Sequence, residues 1–339
     1  MKAIGFTKHL PISNERALVD FETARPVAHG HDLLVHVTAV AVNPVDVFVW
    51  RGRGAAKETP TIIGWDAVGI VTAVGNACTL FQPGERVFYA GSFDRSGCDA
   101  EYQLVDERLV GHAPATLTDA QAAAMPLTSL TAWESLFELM PFDWQNPAAN
   151  HAKRLLIINA AGGVGSVATQ LAHLAGLRVI GTASRAQSAA WVQANGADVV
   201  INHHQELTQQ LQQRQITSVD AVLELHNLTT YWPAIATLIK PAGTVVSTTQ
   251  SNAHLNLNLI KAKRVRFAWE WMYSKSHYQT ADMVTQHQIL EQISQLLDAG
   301  RLKTTLTKTL RPINAANLRE AHRLVESGRM RGKVVLTNA

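Results

Sequence analysis

The hydrophobic and polar positions follow two different patterns in two parts of the chain. Over the first 125 residues, short alternating or β-branched runs at 33–41, 70–74 and 86–89 are separated by turns rich in glycine, proline and asparagine. From about Ala120, helical stretches rich in alanine and leucine alternate with compact apolar segments, as parallel βαβ units do. The patterns predict an α/β protein with a mostly β domain and a doubly wound parallel sheet.

The second pattern also predicts where the chain changes domain. Its strands are predicted at 154–159, 178–182, 199–201, 221–225 and 244–247. A long amphipathic helix over 283–297 and a final strand over 333–336 follow, and we expect this tail to return to the first domain. Residues 1–125 and 274–339 would then form one domain and residues 126–273 the other, with a cleft between them.

Composition narrows the possible partners. The 339 residues are 47% apolar and 17% charged, which suffices for a large core. The net charge is only +3 and the lysines and arginines are scattered, so we expect no nucleic-acid partner. With no apolar leader and no run of about 20 apolar residues, we expect a cytoplasmic protein without a membrane role. Cys78 and Cys98 are expected to be unpaired thiols.

The segment 155–168, LLIINAAGGVGSVA, predicts a dinucleotide site because it joins a buried strand, a glycine turn and a helix start. Gly162 would let the backbone approach a pyrophosphate, Gly165 would let the helix pack closely on the strand, and the first helical amides would receive the anion. Ala160 stands where the usual fingerprint has its first glycine. The expected cofactor-binding positions of the turn are Ala161, Gly162, Gly163, Val164 and Gly165.

The end of the second strand of this unit indicates which dinucleotide binds. An acidic residue that holds the ribose hydroxyls of NADH is expected there, but the chain has Ala183, Ser184 and Arg185 instead. Ser184 and Arg185 can donate hydrogen bonds to a 2′-phosphate, and His203 after the next strand can add a contact. A surface role for Arg185 and for His203 is the alternative. We expect NADPH as the cofactor.

Several strings together resemble the medium-chain dehydrogenase/reductase superfamily, and most closely its zinc-free quinone oxidoreductase branch, often catalogued as zinc-type alcohol dehydrogenase-like proteins. Besides the glycine turn, the strings are VNPVD at 42–46, GWDAVG at 64–69, PLTSLTAW at 126–133 and AHRLVESG at 321–328. The resemblance spans essentially the whole chain. It implies a GroES-like catalytic domain, discontinuous in sequence, beside a Rossmann domain, usually in a homodimer.

The resemblance also bears on metal binding. In zinc-dependent relatives the catalytic zinc is held by a Cys, a His and a Cys where this chain has Asn43, Trp65 and Leu127. None of these is a usual zinc ligand, and the four-cysteine structural lobe is missing. Three histidines between residues 29 and 36 have no cysteine or acidic set to complete a site. We therefore expect no metal, and we expect Trp65 to be a core or pocket-wall residue.

The resemblance places Asn43 near nicotinamide and substrate, Asp46 in support of that loop, and Thr131 against the nicotinamide. Asn43 could donate its amide to the substrate oxygen; a turn-forming Asn before proline is the alternative. For Thr131 the alternative is a helix-start hydroxyl bonded to its own backbone.

A proton donor is harder to assign. Phe48 stands where similar quinone reductases often carry a tyrosine, so that role is lost at this position. Tyr89 could line the cleft or donate a proton, or it is an ordinary strand residue. The string Trp269-Glu270-Trp271 resembles one found in this branch, and pocket lining and subunit contact both stay open for it.

A quinone or an enone accepts hydride without a strong Lewis acid, because the developing charge is delocalised and hydrogen bonds stabilise it. The sequence therefore predicts a zinc-independent, NADPH-dependent oxidoreductase that reduces a quinone or enone. The alternatives are a reductase of other carbonyls or alkenes on the same scaffold, or a non-catalytic NADPH-binding sensor.

Overall fold

The computed structural model describes residues 1–52 and 54–338. The chain divides into two compact units: unit 1 contains residues 1–130 and the C-terminal segment from Tyr273, and unit 2 contains Thr131–Met272. Unit 1 is thus discontinuous in sequence, and each unit has a sheet of its own.

The strands and helices are numbered in chain order. The strands are β1 Lys2–Gly5, β2 Val19–Glu22, β3 Asp32–Ala41, β4 Ala67–Val74, β5 Arg86–Tyr89, β6 Tyr102–Asp106, β7 Val110–His112, β8 Arg154–Ile158, β9 Arg178–Thr182, β10 Val199–Ile201, β11 Val219–Glu224, β12 Ile239–Ser247, β13 Arg266–Trp269, β14 Leu306–Leu310 and β15 Lys333–Thr337. The helices are α1 Pro44–Trp50, α2 Asp119–Ala123, α3 Pro126–Trp133, α4 Gly163–Leu174, α5 Ala186–Ala194, α6 Leu207–Gln212, α7 Leu228–Leu238, α8 Asn258–Lys261, α9 Ser274–His277, α10 Thr285–Asp298 and α11 Ala315–Glu326.

The long strand β3 organises unit 1. Its sheet runs in the order β14-β15-β3-β4-β5-β7, and β6 also pairs with β3. The first half of β3 pairs with β6, from Asp32 opposite Asp106, and its last residues pair with β15, from Ala41 opposite Val335. Because β3 is apolar and buried along most of its length, both of its faces can be covered by other parts of the protein. The C-terminal tail is therefore built into the sheet of the N-terminal residues.

The sheet of unit 2 is parallel and doubly wound, as the sequence predicts. Its strand order is β10-β9-β8-β11-β12-β13, so the chain proceeds outward from β8 on one side and then from β11 on the other. The carboxyl ends of β8 and β11 therefore flank the point where the winding reverses, which is where open α/β sheets bind ligands. The glycine turn that follows β8 therefore lies at the edge of the sheet where a ligand is expected.

Two bounds differ from the sequence prediction for identifiable reasons. The unit boundary lies at 130/131 rather than 125/126, because the first turn of α3 is tied to unit 1 through the Leu127 amide, which donates to Asp66 at 2.7 Å. Strand β12 begins at Ile239 rather than Thr244, since Ala242 takes a positive φ of 60° and the strand continues through an irregular register.

One buried histidine of unit 1 is expected to titrate during unfolding. His322 on α11 has both ring nitrogens buried without a hydrogen-bond partner among the residues described, and its ring meets Trp50 edge-on at a centroid distance of 6.1 Å. Burial lowers the pKa of His322 from 6.5 to about 4. Because the unfolded chain then binds this proton more tightly, the stabilisation is complete above pH 6.5 and is lost as the pH falls towards 4.

We predict that lowering the pH from 7 to about 4.5 reduces the free energy of unfolding by about 2.5 kcal/mol through His322. The variant His322→Phe keeps an aromatic edge against Trp50 and has nothing to protonate, so it should lose less stability over this range. Urea unfolding at both pH values measures the difference, with the exposed His254→Gln as the control. An equal loss in wild type and His322→Phe would contradict the assignment.

Candidate cofactor site and buried polar cluster

The glycine turn of unit 2 connects β8 to α4. Asn159 adopts a positive φ of 66°, and Gly162 is the N-cap of α4 in an extended conformation. The amides of Gly163, Val164 and Gly165 open the helix, where backbone N–H groups have no carbonyl within the helix to bond. These amides and the positive end of the helix dipole make the turn a candidate anion site.

Gly165 is required by the close approach of helix and strand. A Cβ built at this position would lie 2.4 Å from the Asn159 carbonyl oxygen and 2.6 Å from Cα of Ala160. Ala160 itself is fully buried, and its amide donates to the Thr182 carbonyl at 3.2 Å. The alanine in place of the first glycine is therefore accommodated, and the glycine that the packing needs is present.

The carboxyl ends of β9 and β10 carry the predicted ribose-side residues. Ser184 is half-buried, Arg185 is exposed as the N-cap of α5, and His203 is half-buried two residues after β10. The Nδ1 atom of His203 and the Thr182 hydroxyl are within hydrogen-bond distance at 3.2 Å. The fold thus brings a hydroxyl, a guanidinium and an imidazole to one edge of the sheet.

Two further histidines, which the sequence prediction did not include, stand beside His203. The ring of His203 lies 4.6 Å from that of His204 and 6.0 Å from that of His226, between centroids. Burial, His204, His226 and Arg185 together lower the pKa of His203 to about 4. All three neighbours favour a neutral His203. The positive charge at this edge of the sheet therefore comes from Arg185, and it can attract an anion.

Glu224 is a third residue that sequence reasoning missed. It is fully buried at the end of β11, and its carboxylate accepts bonds from the amides of His226 and Asn227 and from the hydroxyls of Ser247 and Thr249, at 2.5–2.9 Å. These bonds fix the loops after β11 and β12. A charged residue ending an apolar strand was the available signal.

In unit 1, Asn43 and Asp46 form the start of α1. Asn43 is extended before Pro44, which occupies the first helical turn, and its amide N–H donates to Oδ2 of Asp46 at 2.7 Å. Both side chains are 1% exposed. Asp46 therefore accepts a hydrogen bond from the backbone of the loop that carries Asn43.

Asn43 is also held by two charged groups. Its Nδ2 donates to Oδ2 of Asp66 at 2.8 Å, and its Oδ1 accepts from the ammonium of Lys333. Lys333 forms an ion pair with Asp66 at 2.8 Å, and the other carboxylate oxygen of Asp66 accepts from the Leu127 amide. We call Asn43, Asp46, Asp66 and Lys333 the buried polar cluster. The Asn43 side chain is thus engaged within the protein, so its role as a donor to substrate stays a prediction and positioning is the role its contacts favour.

Burial dominates the electrostatics of this cluster. It raises the pKa of Asp46 to about 7, although the Asn43 amide and Lys333 oppose the rise. Burial also raises the pKa of Asp66, against the opposing effect of Lys333 and the hydrogen bonds from Leu127 and Asn43. The ion pair with Lys333 thus offsets part of the cost of burying the Asp66 carboxylate.

The remaining predicted residues are placed as follows. Tyr89 is 1% exposed, its hydroxyl has no hydrogen-bond partner among the residues described, and burial raises its pKa well above the usual value. Thr131 is buried on α3, Phe48 is exposed on α1, and Trp269 is exposed at the end of β13. The catalytic roles of Thr131 and Tyr89 stay predictions, as does the expected homodimer.

Two models of known families match the chain. "Alcohol dehydrogenase GroES-like domain" matches residues 29–118 and "Zinc-binding dehydrogenase" matches residues 195–336. A zinc-type alcohol dehydrogenase-like protein from Staphylococcus aureus strain MSSA476 is 39% identical over 336 residues, covering 99% of both chains. The chain belongs to the medium-chain dehydrogenase/reductase superfamily.

Solved structures of the superfamily agree with the fold. A Rhizobium etli CFN 42 protein assigned to the zinc-dependent alcohol dehydrogenases superposes with a TM-score of 0.94 at 45% identity, covering 100% of this chain and 98% of that one. The Coxiella burnetii quinone oxidoreductase has a TM-score of 0.80 at 26% identity, with 100% and 99% covered. Mycobacterial Rv1454c complexed with NADPH has a TM-score of 0.83 at 25% identity, with 99% and 100% covered. The chain is therefore an oxidoreductase of an NAD(P)-dependent family with the GroES-like and Rossmann architecture.

The residues at the superfamily's zinc-ligand positions do not form a zinc-binding set. Asn43 is bonded to Asp66 and Lys333, and Trp65 donates its indole N–H to the Ser92 carbonyl at 3.1 Å and stacks on Phe93. Leu127 has an aliphatic side chain.

The other metal candidates are dispersed. His31 bonds the Glu107 carboxylate, His36 packs against the ring of Tyr102, and His29 is exposed. Within residues 1–52 and 54–338, no group of three or more His, Cys, Asp and Glu side chains is placed to hold a metal ion. Both cysteines are free thiols. In the same residues no helix is long and apolar enough to cross a membrane.

We predict that Lys333→Met lowers the free energy of unfolding by about 3 kcal/mol at pH 7, because it leaves the Asp66 carboxylate buried without its cation. Replacing both partners, as Asp66→Asn with Lys333→Met, should cost less than the sum of the single changes. Urea unfolding measures each variant, and Lys308→Met on the exposed face of β14 should stay within about 0.5 kcal/mol of wild type. If Lys333→Met behaves like Lys308→Met, the ion pair does not stabilise unit 1.

Proposed function

We propose that the protein is a zinc-independent, NADPH-dependent oxidoreductase that reduces a quinone or an enone. One observation carries the choice of cofactor: Ser184, Arg185 and His203 stand at the sheet edge where a carboxylate would hold the ribose of NADH. The NADPH in the structure of mycobacterial Rv1454c supports the same choice.

The residues of unit 2 fit a dinucleotide. The amides that open α4 would bind the pyrophosphate, and the glycine at 165 keeps the helix close enough to β8 for the turn to present them. Ser184 and Arg185 would bind the 2′-phosphate through charge-assisted hydrogen bonds. When bound, the reduced nicotinamide supplies a hydride to an electrophilic carbon of the acceptor.

The acceptor class follows from the side chains at the zinc-ligand positions. Asn43, Trp65 and Leu127 offer no Lewis acid to polarise an unactivated carbonyl. A quinone or enone spreads the negative charge that hydride transfer creates, so hydrogen bonds suffice to stabilise it. The similarity to the Coxiella burnetii quinone oxidoreductase supports this class.

The predicted roles in unit 1 are mainly positional. Asp46 holds the Asn43 backbone, and Asp66 with Lys333 holds its side chain, so the loop entering α1 is fixed before any ligand binds. We assign Asn43 to the substrate side and Thr131 to the nicotinamide side by similarity to the family. Tyr89 is a weak candidate for proton donor because its buried hydroxyl holds its proton tightly.

The test is steady-state oxidation of NADPH and NADH by chelator-treated protein, with 1,4-benzoquinone and a simple enone as acceptors. We predict turnover with NADPH that survives chelation and a higher kcat/KM for NADPH than for NADH. Arg185→Gln should lower kcat/KM for NADPH about tenfold and leave NADH unchanged, because only the 2′-phosphate uses the guanidinium. The matched control is Arg266→Gln, an exposed arginine on β13.

Three results would count against the proposal. Loss of turnover on chelation, restored by zinc, would contradict zinc independence. A preference for NADH would contradict the cofactor assignment. Tight NADPH binding without turnover on any acceptor would favour the sensor alternative.

A further inference from the structure

The histidines at the edge of the unit 2 sheet are arranged around one half-buried ring. His203 follows β10 and His226 follows β11. Their rings lie close to each other although strands β9 and β8 separate β10 from β11 in the sheet. The Tyr231 hydroxyl on α7 donates to the His203 carbonyl at 3.4 Å. The Thr182 hydroxyl lies within hydrogen-bond distance of Nδ1 of His203. His203 is thus held in place from β9, from the β11 loop and from α7.

We propose that His203 is a specificity-determining residue that selects the 2′-phosphorylated dinucleotide by taking up a proton when the 2′-phosphate binds. The inference rests on the proposed function, because it assigns a proton to the cofactor site described above. It separates the task of His203 from that of Arg185, which is charged whether or not the site is filled.

Burial of the ring and the groups that face it set the charge of His203 in the free protein. These groups are Arg185 from the start of α5, His204 from its own loop, His226 from the β11 loop, and the hydroxyls of Thr182 and Tyr231. The buried carboxylate of Glu224, at the end of β11, already accepts four hydrogen bonds from the β11 and β12 loops. With its pKa lowered to about 4, His203 is neutral in the free protein at pH 7.

A bound 2′-phosphate reverses this balance. It brings between one and two negative charges at neutral pH to the ring, and an anion within a few ångströms favours the imidazolium. One proton from solvent then joins His203, and both its ring N–H groups become donors. NADH has a hydroxyl at that position, so its binding does not change the charge of His203. Proton uptake would thus distinguish the two cofactors.

The sign of the pH dependence follows. Between the free and the bound pKa of His203, the affinity for NADPH rises as the pH falls, whereas the affinity for NADH does not change through this group. The 2′-phosphate itself has a second pKa near 6 and contributes the opposite trend, since it loses charge as the pH falls. A comparison of wild type with His203→Gln removes that contribution because the ligand is the same for both proteins.

The experiment is calorimetric titration of the full-length protein with NADPH and with NADH at pH 6.5, in two buffers of different ionisation enthalpy. We expect wild type to take up more protons on binding NADPH than His203→Gln does, and the two proteins to be equal with NADH. At pH 6 the variant should bind NADPH about tenfold more weakly, with NADH affinity unchanged. His254→Gln, an exposed histidine of unit 2, should match wild type throughout.

The outcomes separate this inference from the proposed function. If NADPH is oxidised and preferred but His203→Gln takes up as many protons as wild type, the role of His203 is wrong and the proposed function stands. If His203→Gln loses affinity for NADPH and NADH equally, the ring only supports the fold, and the inference is again overturned. If wild type neither prefers NADPH nor turns it over, the proposed function fails first.

Discussion

The structure of unit 1 depends on one buried ion pair. Lys333 is 4% exposed and Asp66 is fully buried, and neither charge could stay in that interior without the other. The pair joins the last strand to the segment before β4, and through Asn43 and the Leu127 amide it reaches the starts of α1 and α3. A domain made of two distant parts of the chain is thus tied together at the loop that carries Asn43.

The same pair explains how this loop is organised without a metal-binding set. In place of metal-ligand side chains, the cluster has the side-chain amide of Asn43, which is hydrogen-bonded to the Asp66 carboxylate and to the Lys333 ammonium. The carboxylate of Asp46 accepts a hydrogen bond from the Asn43 backbone amide. The positive charge of Lys333 is matched locally by Asp66. The loop is therefore held by hydrogen bonds and by an ion pair within the protein.

Much of this architecture could be predicted from the local sequence pattern. Contacts between residues that are distant in sequence could not be predicted in this way. The strands at 86–89, 178–182 and 199–201 were predictable to the residue because alternation and turn residues act over a few positions. The glycine at 165 was predictable because strand, turn and helix are contiguous. The ion pair was not, since its partners are 267 positions apart and only a charged residue opening an apolar strand hinted at it. The histidines around His203 come from separate loops and were missed for the same reason.

The most direct test of the account is a crystal structure of the protein with NADPH. We predict that the pyrophosphate binds the amides of Gly163–Gly165 and that the 2′-phosphate lies within hydrogen-bond distance of Ser184, Arg185 and His203. A dinucleotide bound with its ribose turned away from these three residues would contradict the central claim that they select NADPH.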